Sequence, residues 1–357
     1  MPMWERIRVR LRHLSGTDIA LWLISVVLVV LIVVGSINSL TSGRYTVRQW
    51  MDFIIFGLAQ GGVYALIALG YTMVYGVLHM INFAHSEVFM SGPFTAYFVA
   101  NALDKAGYFD SHPIISLAIV FVVAMSVSMF VAVVLEILAY RPLRGSPRLV
   151  PLITAIGASF FLQYTFRGLY GSGVKAYPDI AMLHGTWSIA GLNIQKTLVV
   201  VFIAAILLLV GLYTFVQKTK IGMGIRAVAE DQQAAALMGV DVDRMISMTF
   251  AVGGAGAGAA GVLYALIFKQ VHFFMGFVPG IKAFTAAVLG GIGNIPGAML
   301  GGLFLGVFES LGPSLFLEGL GVPAAYQLKD AIAFTMLVLV LIFRPTGILG
   351  ERIAKRA

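Results

Sequence analysis

Long apolar runs that recur along the whole chain constrain this sequence more than any other feature. Ten such runs, separated by short polar connections, cover residues 19–34, 53–81, 88–103, 113–140, 149–169, 197–215, 246–268, 281–292, 298–311 and 327–343. A helix needs about 20 apolar residues to cross the hydrocarbon core of a bilayer. Since a chain in lipid must satisfy its backbone polar groups internally, the runs predict an all-α polytopic membrane protein with about ten transmembrane passes.

Composition supports this class and excludes several others. Hydrophobic residues make up 59% of the 357 residues, charged residues make up only 11%, and the mean hydropathy is +0.93, which leaves no room for a large soluble domain. The sequence has no Cys and no His-Glu-x-x-His, GxSxG or GxxxxGK[ST] motif. We therefore predict no catalytic residues, no metal site and no cofactor, and we disfavour an intramembrane enzyme. The net charge of +8 follows the expected topology, so we expect no nucleic-acid partner.

The distribution of Lys and Arg predicts which ends of the runs face the cytoplasm. Segments assigned to the inside hold 15 of the 24 basic residues, whereas Lys282 is among those assigned to outer loops. We interpret the first run as a retained helix rather than a signal peptide, because it is long enough to span and no convincing cleavage site follows it. The chain is accordingly divided into a basic cytoplasmic segment (1–17), a transmembrane domain (18–344) and a basic cytoplasmic tail (345–357).

Two of the runs, 281–292 and 298–311, are too short to span the bilayer alone. A Gly-Asn-Ile-Pro turn joins them, so we predict short or broken helices that pack among their neighbours. Glycines also recur every four residues, a spacing that favours close helix contact. We expect a packing role rather than substrate contact for this set, which comprises Gly57, Gly61, Gly254, Gly258, Gly293, Gly297 and Gly301.

A polar cluster interrupts the apolar pattern between the second and third runs. Its members with functional side chains are Asn82, His85, Ser86 and Glu87. Ionisable groups at membrane depth must face protein or water, so the cluster is a candidate lining of a substrate path at a broken helix. Alternatively, the cluster lies at the cytoplasmic surface, where Asn82 or Ser86 simply caps the next helix. The residues alone leave both interpretations open.

The longest polar stretch between two apolar runs, residues 218–244, is the second candidate functional region. Asp231 is placed to cap a short helix through Met238, and Gly239 lies where a left-handed residue would end that helix. The apolar Leu237 lies close to charged side chains, a combination that suits a small helix docked in a groove of another subunit. The charged neighbours are Arg226, Glu230 and Asp231. The alternative is a solvated interfacial loop.

Several motifs resemble one family of transport proteins. Gln233, Ala234 and Ala235, followed after three residues by Gly239, resemble the Glu-Ala-Ala-three-residue-Gly coupling loop of bacterial ABC importer membrane subunits, with Gln in place of Glu. The longer stretch RAVAEDQQAAALMGVDVDR (226–244) resembles permeases of high-affinity branched-chain amino-acid importers. Segments 71–92, 140–157, 286–302 and 343–351 resemble the same family, in which Gly usually stands at the position of Ser86.

The resemblance implies a permease subunit in the bacterial cytoplasmic (inner) membrane that carries branched-chain or related amino acids inward. The implied partners are cytoplasmic ATP-binding subunits that grip the 218–244 loop, a second permease subunit and an extracytoplasmic substrate-binding protein. It also implies inverted-repeat halves formed by passes two to five and seven to ten, which the even number of passes permits. Two alternatives stay open: an ion-coupled secondary transporter, for which His85 and Glu87 would be natural, and an ABC permease for urea or short amides.

Overall fold

Helices dominate the computed structural model, which describes residues 16–147, 149–189, 192–344 and 346–350. The α-helices of this part of the chain are α1 Gly16–Thr41, α2 Val47–Leu78, α3 His85–Lys105, α4 Tyr108–Ser111, α5 Pro113–Leu135, α6 Leu149–Tyr170, α7 Lys196–Lys218, α8 Lys220–Glu230, α9 Gln232–Leu237, α10 Val242–Phe268, α11 Phe277–Gly290, α12 Ile295–Gly312 and α13 Lys329–Phe343. Four short strands accompany them: β1 Lys175–Ala176, β2 Thr186–Ile189, β3 Leu192–Gln195 and β4 Gln270–Val271.

Each of the ten apolar runs overlaps one helix, which confirms the all-α polytopic prediction. Within the described residues, eight helical segments are long and apolar enough to cross a membrane. The remaining two are α3, whose 21 residues include a polar first turn, and α11, which has only 14 residues. The short helix predicted at 281–292 is therefore present as α11.

The prediction that run 298–311 is also short was wrong. α12 continues past Gly312 through a π-helical turn at Pro313–Leu317 and a 3-10 turn at Glu318–Leu320, so the segment Ile295–Leu320 is 26 residues long. A proline inside a helix lacks an N–H and crowds the preceding turn, and a wider π turn accommodates both effects. The predicted run ended at Leu311, whereas the helix continues through Pro313.

The assignment of Lys282 to an outer loop was also wrong. Lys282 lies in the second turn of α11, and its side chain is only 3% exposed. Hydropathy places a charged residue outside a span because burying it alone is expensive. In the folded protein this cost is offset by carboxylates on neighbouring helices, which a single-segment pattern cannot detect.

The helix pairs that pack together recur between the two halves of the chain. α2 packs along α12 while α10 packs along α5, α3 packs on α5 while α11 packs on α12, and α3 contacts α10 while α11 contacts α2. Exchanging α2 with α10, α5 with α12 and α3 with α11 converts each pair into its counterpart. Such recurrence is what inverted-repeat halves predict.

Glycines allow the close approach of these helices. Between α2 and α12, a Cβ at Gly57 would lie 2.7 Å from Val307 Cα, and one at Gly61 would lie 2.9 Å from the backbone oxygens of both Gly302 and Leu303. Gly254 and Gly258 approach α5 at Ser128 and Ala124, while Gly297 and Gly301 approach α11 at Gly290 and Ala286. All six lie where the four-residue spacing predicts close helix contact.

Gly293 is different and corrects part of the packing prediction. It lies outside both helices, in the turn between α11 and α12, with φ at 94° and no atom within 4 Å of its Cβ position. Only glycine adopts this left-handed region without strain. The conformation of the turn, rather than helix packing, therefore requires glycine at position 293.

At the end of the bundle opposite α8 and α9, a two-residue antiparallel ladder joins β1 to β4, pairing Lys175 with Val271. The hairpin β2–β3 follows β1 in the connection between α6 and α7. Beside the ladder, Lys269 Nζ donates to Asp179 Oδ1 at 2.6 Å, and this hydrogen bond holds the pKa of Asp179 below its usual range. The connection leading into α11 is thereby tied to the long connection that precedes α7.

Candidate substrate path and docking surface

The chain re-enters the bundle between α2 and α3. α2 ends at Leu78, and His79 follows in the left-handed conformation (φ 53°) with its N–H donating to Tyr75 O at 2.7 Å. The His85 ring lies against Gly70, where any Cβ would overlap the ring. Gly70 precedes the end of α2 by eight residues, which at 1.5 Å per residue places His85 about 12 Å inside that end. α3 therefore begins inside the bundle rather than at its surface.

A second helix begins inside the bundle beside the first. α11 starts at Phe277, and both Gly276 and Gly280 lie directly against Ser86, with no room there for a Cβ. Neither α3 nor α11 has a side-chain cap at its N-terminus. Two helix N-termini without side-chain caps, each carrying the positive end of a helix dipole, therefore meet at Ser86.

The capping interpretation of the Asn82–Glu87 cluster does not describe this geometry. The residue at the N-cap position of α3 is Ala84, and Ser86 Oγ donates to Phe83 O at 2.7 Å instead of accepting from a helix N–H. Asn82 Oδ1 accepts a hydrogen bond at 2.6 Å from the OH group of Tyr140, the last residue of a π-helical turn, Glu136–Tyr140, that follows α5. Both side chains are buried.

Glu87 is the charged residue at the centre of this region and is fully buried. Its Oε1 accepts hydrogen bonds from Gln163 Nε2 at 2.7 Å and, more weakly, from Ser159 Oγ at 3.3 Å, and it lies 3.3 Å from Ser86 Oγ, which donates to Phe83 O. Gln163 and Ser159 lie one turn apart on α6, a helix that the sequence pattern did not connect with the cluster. The other carboxylate oxygen, Glu87 Oε2, has no hydrogen-bond partner among the described residues.

Buried polar atoms without a hydrogen-bond partner occur in this cluster and on the neighbouring helix α2. Within the described part of the chain, they include Thr72 Oγ1, Asn82 Nδ2, His85 Nε2 and Glu87 Oε2, and each residue is at most 2% exposed. A buried polar group without a partner costs about 1–3 kcal/mol. The region therefore holds a donor and acceptor set that a small polar ligand could complete.

The second candidate region, the helix pair α8–α9, has the local structure that the sequence predicted. Asp231 Oδ1 accepts hydrogen bonds from the N–H groups of Gln233 at 2.8 Å and Ala234 at 2.9 Å, and Gly239 adopts φ 83°. Leu237 and Met238 are 89% and 84% exposed. We call eight of the exposed residues of this region the α9 surface: Arg226, Glu230, Asp231, Gln233, Ala234, Leu237, Met238 and Gly239. Ala235 is buried against its own chain and supports this surface from below.

The α9 surface is connected to the re-entrant segment by side-chain contacts. Gln232 Nε2 donates to Val77 O at 2.6 Å, which anchors α9 on the last turn of α2. A few residues further along, the 79–84 segment is held by the Tyr140–Asn82 hydrogen bond. A displacement of α9 would therefore act on the end of α2, immediately before the chain turns towards His85.

Comparison with known proteins identifies the family. The family model described as branched-chain amino acid transport system / permease component matches residues 53–341. The chain is 43% identical over 308 residues to the high-affinity branched-chain amino acid transport system permease protein BraD of Pseudomonas aeruginosa, covering 85% of this chain and 97% of that protein. It is 41% identical over 300 residues to the corresponding protein LivH of Escherichia coli, covering 83% and 94%. The chain therefore belongs to the family of permease components of branched-chain amino acid transport systems.

Proposed function

We propose that this chain is the membrane-spanning permease subunit of an ABC importer that carries branched-chain or related amino acids into the cytoplasm, with ATP hydrolysed on a partner subunit. The observation that carries the substrate assignment is the chemistry around Ser86. The positive dipole ends of two helices without side-chain caps favour a carboxylate there, and Glu87 Oε2 has no hydrogen-bond partner among the described residues and can accept an ammonium group. A zwitterionic amino acid presents both of these groups.

The proposal includes three kinds of partner. Cytoplasmic ATP-binding subunits dock on the α9 surface, a second permease subunit completes the pore, and an extracytoplasmic binding protein delivers the substrate. The exposed Leu237 and Met238 support the first partner, because a short amphipathic helix with bare apolar side chains is typical of helix-in-groove docking. The proposed location is the bacterial inner membrane, with both termini and the α9 surface on the cytoplasmic side, as the excess of basic residues on that side indicates.

The energy source separates this function from an ion-coupled transporter. We expect proteoliposomes that contain the chain, its ATP-binding and permease partners and the binding protein to take up leucine only with ATP, because the sequence has no phosphate-binding loop of its own. The chain reconstituted alone is the control and should neither hydrolyse ATP nor accumulate leucine. Loss of uptake on addition of a protonophore, with ATP held constant, would instead support proton coupling. Uptake of urea or acetamide, but not of leucine, by the same proteoliposomes would assign the alternative substrate class.

The α9 surface can be tested with one backbone substitution and a matched control. Gly239→Val places a β-branched residue at φ 83°, which costs on the order of 1 kcal/mol and changes how α9 ends. We expect the variant permease to insert normally and to lose its ATP-binding subunit in a pull-down from detergent. Gly171→Val introduces similar backbone strain at φ 89° directly after α6, at the opposite end of the bundle and with no neighbour within 4 Å, and it should retain the subunit. Retention by both variants would identify α8–α9 as a solvated linker.

A further inference from the structure

A buried ionic cluster in the second half of the chain is used neither by the candidate path nor by the α9 surface. Lys282 of α11 donates through Nζ to Glu309 Oε1 of α12 at 2.6 Å and lies 2.6 Å from Asp330 Oδ1 of α13. Glu309 Oε1 also accepts from Gln60 Nε2 of α2 at 3.2 Å and lies 3.9 Å from Lys329 Nζ. Four helices from both halves therefore converge on one ammonium and one carboxylate.

The two carboxylates hold Lys282 in different ways. Glu309 is 1% exposed, makes a directed hydrogen bond to Lys282 and is itself fixed by Gln60. Asp330 is 45% exposed, and its contact with Lys282 is an ionic approach without hydrogen-bond geometry. A buried charge pair is strongly held because separating it leaves an uncompensated charge in a low dielectric, whereas a half-exposed carboxylate can return to water. Glu309 is accordingly the fixed partner of Lys282, and Asp330 is the exchangeable one.

Lys282 acts on the helix that forms one side of the candidate substrate site. α11 touches Ser86 through Gly276 and Gly280, and Lys282 follows Gly280 by two residues, which is about 200° around the helix. The face that meets Ser86 and the face that carries the ion pair are therefore opposite. Because an ion pair fixes distance and direction more narrowly than apolar contact does, Lys282 sets how closely α11 approaches Ser86.

We propose that Lys282 is a positioning residue for the candidate substrate site, holding the N-terminus of α11 against Ser86 through its fixed bond to Glu309. Its importance for transport rests on the proposed function, whereas its effect on the position of α11 does not. The direct test uses a cysteine at position 86, since the chain has no Cys of its own. Ser86 is 5% exposed, so Ser86→Cys should react slowly with a small membrane-permeant maleimide as long as α11 covers it.

The informative variant removes both charges of the fixed pair, Lys282→Met with Glu309→Gln, so that no buried charge is left without its partner. We expect normal assembly with the second permease subunit and an increase of about tenfold in the labelling rate of the cysteine at 86, as local opening of a buried site produces. Lys282→Arg keeps the charge and should keep the cysteine protected. A cysteine at Ser128, which is fully buried on α5 away from α11, should stay protected in every background.

An unchanged labelling rate at position 86 in an assembled double variant would overturn the proposal. If the double variant does not assemble, Glu309→Gln alone decides, because it removes the fixed partner while Lys282 keeps one carboxylate, Asp330 Oδ1, at 2.6 Å. An increased labelling rate of the cysteine at 86 in this variant would support the proposal, and an unchanged rate would overturn it. Increased labelling, together with normal leucine uptake by Glu87→Gln, would retain the positioning role of Lys282 and reject the substrate site it was proposed to serve.

Discussion

Replacing Gly61 with Leu is expected to abolish the folded protein. Both helices carry glycine at this crossing: a Cβ at Gly61 would lie 2.9 Å from the carbonyl oxygens of Gly302 and Leu303, and a Cβ at Gly306 would overlap the backbone of Gly61. The neighbouring atoms are backbone, so no side chain can rotate away to make room. Overpacking a close-packed interior typically costs about 1–3 kcal/mol and more where backbones must separate, against a total stability of about 5–15 kcal/mol.

The effect can be measured by size-exclusion chromatography and thermal unfolding of the detergent-solubilised, fluorescently tagged protein. Gly61→Leu should give little monodisperse material. The matched control is Gly211→Leu in α7, where no atom lies within 4 Å of the Cβ position and the surface is exposed, and this variant should behave like the wild type. A monodisperse Gly61→Leu protein with an unchanged Tm would show that α2 and α12 do not pack as described.

The second large effect is expected for Glu87→Gln, which should nearly stop transport while leaving membrane insertion and partner assembly intact. The amide keeps the size of the side chain and its contact with Gln163, but it removes the charge proposed to pair with the substrate ammonium. Losing one partner of a buried charge pair costs about 2–5 kcal/mol. This corresponds to a fall of roughly 30-fold to several thousand-fold in uptake at limiting substrate.

Leucine uptake and co-purification of the ATP-binding subunit should be measured on the same preparations. Asp104→Asn provides the control, because it removes a carboxylate from the exposed far end of the same helix. His85→Ala should also impair uptake, since His85 Nε2 is buried beside the same site without a partner. Normal uptake by both Glu87→Gln and His85→Ala would assign the cluster to packing alone.

The sequence predicted well those features that depend on residues only a few positions apart in the chain. The helix capped by Asp231 and ended at Gly239 is specified by a carboxylate that reaches two N–H groups of the next turn and by a residue free to adopt φ 83°. The positions of the ten helices that match apolar runs likewise follow from hydropathy, because each run is apolar enough by itself to be placed in lipid or in the protein interior. The segment around Pro313 is an exception. The predicted run ended at Leu311, just before this proline, whereas the helix continues through a π turn that begins at Pro313.

The contacts that the sequence did not predict join residues that are far apart in the chain. Glu87 is held by Gln163, 76 positions away, and Gln60 bonds to Glu309, 249 positions away. Lys282 was misplaced for the same reason, because the carboxylates that make its burial tolerable lie on other helices. Gly57 and Gly61 signalled a close helix contact, but nothing in their own segment identifies α12 as the helix they meet.

The short, re-entrant character of α3 and α11 has a consequence for the biogenesis of this protein. Neither helix is among the eight segments whose length and apolarity suit lateral transfer from a translocon into lipid, and these two helices build the candidate site. They must therefore enter the bilayer by packing on neighbours that are already inserted. For α3 these neighbours are α5 and α10, and for α11 they are α2 and α12. The site is thus completed only after the stable spans have assembled, so a variant that slows their assembly would leave in the membrane a chain with most of its helices inserted and no site.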